Sequence, residues 1–209
     1  MKEFHLQATN LTKYFIRGRY IFSNISVELR NSRIIGIAGE NGSGKTTLLK
    51  ILSGIIPPSS GSIDFSIDSE KHGRERISKH LGFVSPYLTL YEEFSPNEHF
   101  HILSKLKGRK FDDSRIKELL EVFKLTTRKD EQIKTFSSGM KQRVKYISAL
   151  IADPEILFLD EPFTNLDIPG IDSVKEIIEE HKKNGGGIII ASNDEREKDL
   201  CENIITVKS

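Results

Sequence analysis

Hydrophobic and polar residues alternate along the first part of the chain, between Phe4 and Leu29. The alternation is clearest at four apolar positions, which are interleaved with polar ones: Ile21, Ile25, Val27 and Leu29 against Ser23, Asn24, Ser26 and Glu28. A period of two residues predicts half-buried antiparallel strands. Residues 61–67 continue this character after a loop of proline and serine at 57–60, so we expect a further strand there.

Apolar runs without alternation follow, and each has the length of a strand that is buried on both faces. These runs lie at 34–38, 81–84, 155–160, 187–192 and about 204–207. The stretches between them predict helices that begin near residue 44 and that cover 138–152, 168–183 and 194–201. Strands that alternate with helices predict a mostly parallel sheet with right-handed crossover connections.

A helical insertion interrupts this alternation at about 86–136. Ser95 and Glu98 have the spacing of a capping box, and Pro96 occupies the first helical position, so a helix is expected to begin there. Apolar residues at helical spacing predict a second helix: Ile116, Leu119, Leu120 and Phe123. The polar stretch 69–80, which precedes the insertion, is expected to be a surface loop.

Candidate chemistry is concentrated in the loop that joins the first buried strand to a helix. This loop reads Gly39, Glu40, Asn41, Gly42, Ser43, Gly44, Lys45, Thr46 and Thr47. Gly39, Gly42 and Gly44 allow successive backbone N–H groups to point at one anion, and the helix N-terminus adds positive potential. Lys45 can then reach the β- and γ-phosphates of a nucleotide, and the Thr46 hydroxyl can ligate magnesium. A simple glycine turn accounts for the glycines but not for the Gly-Lys-Thr sequence that ends the loop.

Two carboxylates, Asp160 and Glu161, end the buried strand at 155–160. In a parallel sheet this end lies beside the phosphate-binding loop. Asp160 is therefore expected to ligate magnesium together with Thr46, and Glu161 to polarise the water that attacks the γ-phosphate. Paired acids at a strand end can also cap a helix, but the loop upstream favours the catalytic interpretation.

The composition suits one domain, residues 1–209, with a full hydrophobic core. The formal charge is only +1, which argues against strong binding of nucleic acid. Cys201 is the only cysteine, so an intrachain disulfide is excluded. No run approaches the roughly 20 apolar residues that a membrane span needs, and we therefore expect any role in transport to require a membrane partner.

Residues 136–143, with the sequence Phe-Ser-Ser-Gly-Met-Lys-Gln-Arg, open the helix before the strand that ends in Asp160. With the phosphate-binding loop upstream and the two acids downstream, this segment resembles the signature motif of ATP-binding cassette (ABC) ATPases. The resemblance implies an α/β P-loop NTPase fold with an ABC-type ATPase core, an N-terminal antiparallel β subdomain and an inserted α-helical subdomain. It also implies an ATP-binding subunit that uses ATP and Mg²⁺ to drive transport through a separate transmembrane permease at the cytoplasmic face of the cell membrane.

The same resemblance implies a head-to-tail dimer with a second nucleotide-binding subunit. Ser137 and Gly139 would then contact the γ-phosphate of the nucleotide on the partner, through the N-terminus of their helix. Phe15 matches the aromatic residue that stacks on adenine, with Tyr14 as the near alternative, and either residue can instead belong to the core. Residues 164–167 match the segment that touches the partner subunit, although Asp167 alone is explained equally well as a helix cap.

Two departures from the family pattern bear on catalysis. The glutamine expected after the strand at 81–84 falls on Pro86, which offers no side-chain donor or acceptor. Asn193 stands where a histidine is expected to contact the γ-phosphate, and an amide cannot become cationic. We therefore expect ATP binding to be intact and hydrolysis to be slow or dependent on the membrane partner. An ATP-gated dimerising module with little hydrolysis is the alternative.

A soluble ABC ATPase of DNA repair or translation fits less well, because those relatives carry two cassettes, long coiled coils or zinc insertions. Within the insertion, residues 87–100 are the expected docking segment for a permease helix. Burial in the insertion core explains their apolar residues equally well. His99 and His101 lie two residues apart and therefore do not share a helix face, so we expect them to be exposed to solvent rather than to bind a metal.

Overall fold

The computed structural model of the protein describes residues 1–16, 18–73, 77–108 and 112–208. In these ranges the chain forms one antiparallel sheet, one parallel sheet and the helices that pack on the parallel sheet. The order of elements along the chain agrees with the predicted α/β class, in which an antiparallel β region precedes a parallel sheet that is interrupted by a helical insertion.

The antiparallel sheet has four strands in the order β2-β1-β4-β5. Its strands are β1 (Phe4–Ile16), β2 (Arg19–Arg30), β4 (Ser60–Ile67) and β5 (Glu70–His72). In β2, Ile25, Val27 and Leu29 are buried while the residues between them are exposed, as the period of two requires. The predicted half-buried antiparallel strands are therefore confirmed.

The parallel sheet has five strands in the order β6-β7-β8-β3-β9, and every neighbouring pair is parallel. Its strands are β3 (Ile34–Ala38), β6 (Leu81–Val84), β7 (Ile156–Asp160), β8 (Gly187–Ala191) and β9 (Asn203–Thr206). Because all strands point the same way, their carboxyl ends lie along one edge of the sheet. Ligand sites of open α/β sheets form at this edge.

Six α-helices are present in the described ranges: α1 (Lys45–Leu52), α2 (Pro96–Leu106), α3 (Asp113–Val122), α4 (Ser138–Leu150), α5 (Ile168–Lys183) and α6 (Glu195–Lys198). Two 3₁₀ turns, Thr126–Arg128 and Ile133–Thr135, connect α3 to α4. The predicted capping box is confirmed, because the Ser95 hydroxyl accepts from the Glu98 N–H and the Glu98 carboxylate accepts from the Ser95 N–H. None of these helices combines the length and apolar character that crossing a bilayer requires.

The two faces of the parallel sheet bury two separate hydrophobic clusters. Ile35, Ile37 and Phe158 face the cluster that also contains α1 and the antiparallel sheet. Their neighbours Ile34 and Leu157 face the cluster built with α3, α4 and α5. Strands covered on both faces have no solvated side, which is why their sequences are continuous apolar runs.

Some local predictions were wrong. Residues 69–80 are not simply a surface loop, because Glu70–His72 form an edge strand and Ile77 is buried, while 74–76 lie outside the described residues. The helix predicted at 194–201 is only the short α6. His99 is 4% exposed rather than solvated. Its ring lies beside Phe100, the next residue of the same helix, and beside Tyr91, which lies outside the helix and which the helical pattern does not show as a neighbour.

Helix α4 lies directly against β6 at Gly82, where a side chain has no room. A Cβ atom built on Gly82 would lie 2.6 Å from the Ala149 carbonyl oxygen and 2.8 Å from Leu157 Cδ2.

We expect Gly82→Ala to lower the free energy of unfolding by about 1–3 kcal/mol, as overpacking of a core does. Chemical denaturation measures the change, and Gly73→Ala, where nothing lies within 4 Å, serves as the control. Equal stability of the two variants would contradict the packing described here.

Candidate functional site

The loop between β3 and α1 folds around the amino group of Lys45. Lys45 Nζ donates to the carbonyl oxygens of Gly39 at 2.8 Å and Glu40 at 3.1 Å, and the side chain is almost fully buried. The Ser43 N–H also donates to the Glu40 carbonyl, at 3.1 Å. These bonds close the loop and hold one positive charge at its centre.

Glycine conformations shape the second half of this loop. Gly42 and Gly44 have φ angles of +84° and +103°, which residues with a Cβ rarely adopt. At Gly44 a Cβ would also lie 2.4 Å from Ile21 Cγ2. Gly44 is the N-cap of α1, and no side chain caps this helix end. The first-turn N–H groups of α1 are therefore open to an anionic ligand.

Asp160 lies at the carboxyl end of β7 and contacts this helix. The Thr46 hydroxyl lies 3.0 Å from each carboxylate oxygen of Asp160, and the Ser85 hydroxyl lies 3.0 Å from its Oδ2. Burial raises the pKa of Asp160, the hydrogen bonds from Thr46 and Ser85 oppose the rise, and the nearby charge of Glu161 adds to it. Two hydroxyl groups therefore hold a buried carboxylate beside the phosphate-binding loop.

Glu161 leaves the strand in an unusual backbone conformation. Its φ angle is +46°, which is costly for a residue other than glycine or asparagine. Its N–H group donates to the Ala191 carbonyl at 2.9 Å. The turn places Glu161 on a cavity of about 530 Å³. The other described residues that line it are Asn41, Gly42, Gly44, Lys45, Thr46, Thr47 and Tyr87.

A second cavity adjoins the first at Gly42, Gly44 and Thr47, which line both. Phe15 lies on its wall and is 69% exposed, with Lys13 Nζ 5.0 Å from the ring centre. The remaining lining residues are Ile16, Arg19, Tyr20 and Ile21. Tyr14 instead packs edge-on against Tyr20, with ring centres 5.9 Å apart. Of the two predicted aromatic residues, Phe15 is therefore the one with a free face beside the loop.

Asn193 follows β8 and contacts the phosphate-binding loop directly. Its Nδ2 donates to Asn41 Oδ1 at 2.8 Å. Both residues line a third cavity, together with Glu161. The structure thus brings Asn193 to the same group of cavities as the loop, and it also gives the side chain a partner within the protein.

Ser137 and Gly139 lie elsewhere, since neither is among the described residues that line the three cavities. Ser137 is the N-cap of α4, where its exposed hydroxyl accepts from the Met140 N–H at 3.3 Å. A Cβ on Gly139 would lie 2.9 Å from the Asn165 carbonyl oxygen, so the lack of a side chain permits an intramolecular contact. Asp167 caps α5 by accepting from the Gly170 N–H, as the structural interpretation of this residue predicted.

Sequence reasoning missed Ser85 and considered Tyr87 only as part of the expected docking segment. At the end of β6 it considered Pro86, because the expected glutamine was absent there. The signal was nevertheless present, since a hydroxyl at the carboxyl end of β6 must lie beside the end of β7, its parallel neighbour. Tyr87 contributes to the wall of the phosphate-loop cavity.

The donor set at Asp160 fits a magnesium ion. Thr46 and Asp160 supply a hydroxyl and a carboxylate, which are hard oxygen ligands. Thr46 lines the cavity that also contains Lys45, and the buried Asp160 contacts Thr46. Magnesium is commonly bound by one or two protein oxygens together with substrate phosphates and water. No cluster of three or more histidine, cysteine or acidic side chains suited to a metal occurs in the described part of the chain.

Comparison with known proteins agrees with this arrangement. The family described as "ABC transporter" matches residues 22–164, which include the phosphate-binding loop, Ser137 and the two acids. The uncharacterized ABC transporter ATP-binding protein YcbN of Bacillus subtilis is 30% identical over 188 residues, covering 90% of this chain and 61% of YcbN. The chain thus spans less than two thirds of that relative.

A second relative is the cytochrome c biogenesis ATP-binding export protein CcmA of Methylococcus capsulatus, 33% identical over 179 residues, which cover 85% of this chain and 86% of CcmA. A similar solved structure is the dimeric post-hydrolysis state of the ATP-binding cassette MJ0796 bound to ADP and Pi. Its TM-score is 0.83 over 97% of this chain and 94% of that one, and at 24% identity it supports the fold. Sequence match, fold and site geometry lead to the same assignment, and the chain belongs to the ABC transporter family of ATP-binding proteins.

Proposed function

We propose that this chain is the ATP-binding subunit of a transporter, in which it binds and hydrolyses ATP to drive a separate transmembrane permease from the cytoplasmic face of the membrane. The observation that carries the proposal is the contact of the Thr46 hydroxyl with the Asp160 carboxylate at 3.0 Å. Glu161 lies on the same cavity as Thr46 and Lys45. A phosphate cradle, a magnesium ligand pair and a candidate general base therefore meet at one place.

Each group has a distinct role in this proposal. The N–H groups of the loop and of the first turn of α1 bind the phosphate oxygens, and Lys45 places its charge at the β- and γ-phosphates. Thr46 and Asp160 hold magnesium, which when bound neutralises charge on the β- and γ-phosphates. Glu161 orients a water molecule toward the γ-phosphorus and accepts its proton. Phe15 stacks its exposed ring on the adenine base.

In this proposal the chain forms a dimer with a second nucleotide-binding subunit. The N-terminus of α4 then contacts the nucleotide that the second subunit holds. Ser137 is exposed at the helix N-terminus and is absent from the described walls of the cavities around the loop. That placement suits a γ-phosphate held by a partner subunit rather than by the same chain. The similar ATP-binding cassette MJ0796 was solved as a dimer, which supports this arrangement.

Docking to the permease is assigned to residues 87–100 of the inserted helical subdomain, about 86–136. Tyr87 and Tyr91 are 74% and 57% exposed and Phe94 is 37% exposed, whereas Leu90 is buried. Burial in the insertion core therefore accounts for Leu90 but not for the three aromatic residues. Exposed aromatic side chains grouped in this way are typical of interaction surfaces.

Slow hydrolysis follows from two positions. Pro86 has no side chain able to contact magnesium or the attacking water. Asn193 donates its amide hydrogen bond to Asn41 and cannot carry the positive charge of a histidinium. Loss of one oriented donor to developing charge costs about 3 kcal/mol, or roughly 100-fold in rate. Lys45 and Glu161 remain, so the reaction is slowed and not abolished.

The decisive test replaces the candidate general base. We expect Glu161→Gln to reduce phosphate release from Mg-ATP by about 100-fold or more, because the amide cannot accept a proton, while ATP still binds. Glu176→Gln, on the exposed face of α5, is the matched control and should keep wild-type turnover. Release of phosphate and binding of a fluorescent ATP analogue are measured in parallel. Persistent hydrolysis by Glu161→Gln would contradict the proposal.

The adenine contact is tested at Phe15 and Tyr14. Stacking of a base on an aromatic ring contributes about 1–3 kcal/mol, so Phe15→Ala should weaken ATP affinity by roughly 5- to 150-fold. Tyr14→Ala should leave that affinity within about twofold, because Tyr14 packs on Tyr20. Equilibrium binding of ATP gives both values. The reverse order of effects would assign the contact to Tyr14 instead.

The third test restores the missing charge after β8. We expect Asn193→His to raise the hydrolysis rate about tenfold or more, because an imidazolium stabilises the developing phosphate charge better than an amide does. Asn193→Ala removes the bond to Asn41 without adding a charge and serves as the comparison. A rate for Asn193→His no higher than that for Asn193→Ala would show that Asn193 does not limit turnover.

A further inference from the structure

Ser85 lies between the end of β6 and Pro86, and its hydroxyl both donates and accepts a hydrogen bond. It donates to Asp160 Oδ2 at 3.0 Å and accepts from the Tyr87 N–H at 3.3 Å. An N–H group can only donate and an ionised carboxylate can only accept, so the single hydroxyl proton of Ser85 points at Asp160. The side chain is buried, and water therefore does not compete for this bond.

A buried ammonium group fixes the backbone that carries Ser85. Lys145, in the middle of α4, donates from Nζ to the Ser85 carbonyl at 3.3 Å and to the Pro86 carbonyl at 2.6 Å. One turn earlier on the same helix, Lys141 forms an ion pair with Glu92 at 2.6 Å. The ring of Pro86 restricts its own φ angle. The segment from Ser85 to Glu92 is therefore attached to α4 at both ends, and Ser85 has little freedom to move away from Asp160.

These contacts hold Asp160, the proposed magnesium ligand, in place without the glutamine that the family pattern has at the position of Pro86. A carboxylate offers about four acceptor positions, and here Thr46 and Ser85 occupy part of them and fix its orientation. A ligand held by such an outer hydrogen bond meets the metal without first losing rotational freedom. The glutamine expected at Pro86 would have contacted the metal itself.

We infer that Ser85 is a positioning residue of the magnesium site. Lys145 holds its backbone, the Tyr87 N–H group bonds its hydroxyl, and that hydroxyl fixes the orientation of the Asp160 carboxylate that would hold the metal. This inference rests on the proposed binding of Mg-ATP. It assigns Ser85 no contact with the nucleotide. Loss of Ser85 should therefore alter the response to Mg²⁺ and leave metal-free nucleotide binding unchanged.

The test uses equilibrium binding of a fluorescent ATP analogue, first in EDTA and then in a titration with MgCl₂. We expect Ser85→Ala to match the wild type in EDTA. In the titration it should need about 10- to 100-fold more Mg²⁺ for the half-maximal response, which is the usual effect of removing an outer hydrogen bond at a metal site. Ser148→Ala is the matched control, because that hydroxyl lies on α4 itself and, among the described residues, donates to the Val144 carbonyl of its own helix.

A second variant separates positioning from general damage to the fold. Lys145→Met removes the two bonds to the Ser85 and Pro86 carbonyls and should shift the Mg²⁺ titration in the same direction by a smaller factor. Thermal melting of each variant without nucleotide checks that the proteins are folded. An unchanged Mg²⁺ titration for Ser85→Ala, or an equal loss of affinity in EDTA, overturns the inference. A wild-type protein that binds no analogue, or whose binding does not respond to Mg²⁺, overturns instead the proposed function.

Discussion

The contact between the Thr46 hydroxyl and the Asp160 carboxylate joins the phosphate-binding loop to the acidic residues at the end of β7. The positions of the other site residues depend on this contact. Thr46 begins a helix that follows β3, and Asp160 ends β7, which is separated from β3 by one strand. Because β3 and β7 run in the same direction, their carboxyl ends bring these two groups to one edge of the sheet. The strand order therefore determines the chemistry as directly as the residues do.

Burial strengthens the hydrogen bonds of this contact, and it also makes the negative charge of Asp160 costly to hold inside the protein. Burial raises the pKa of Asp160, and the hydroxyl groups of Thr46 and Ser85 stabilise the charged form against this effect. A carboxylate in such a place is sensitive to each of its partners, because an unmade bond inside the protein is not replaced by water. Small changes around Asp160 are therefore expected to have large effects on metal affinity.

Helix α4 links parts of the protein that are distant in sequence. Its exposed first turn carries Ser137, its middle holds the Ser85–Pro86 backbone through Lys145, and its last turn packs on β6 at Gly82. Helix α4 thus connects the exposed Ser137 with the backbone that supports Asp160.

The sequence alone predicts most of the strands of this protein and its phosphate-binding loop. Periodicity alone predicts the antiparallel strands and the buried parallel strands, because alternation and apolar runs reflect which strand faces are covered. The helix that begins after Ser95 is predicted by its capping box and by Pro96. The loop ending in Lys45 and Thr46 is equally local, since its glycines and its basic and hydroxyl residues act within one turn of chain. The family resemblance added Phe15, whose exposed ring lies beside the loop.

Tertiary structure decided the contacts between segments far apart in the chain. The burial of His99, the bond of Asn193 to Asn41, and the anchoring of Ser85 by Lys145 each join residues whose neighbours in sequence give no sign of the partner. Gly139 shows the same limit, because its close neighbour is the Asn165 carbonyl of another loop. Local sequence fixes the conformation that a segment prefers, but only packing of the complete sheet and its helices sets which segments meet.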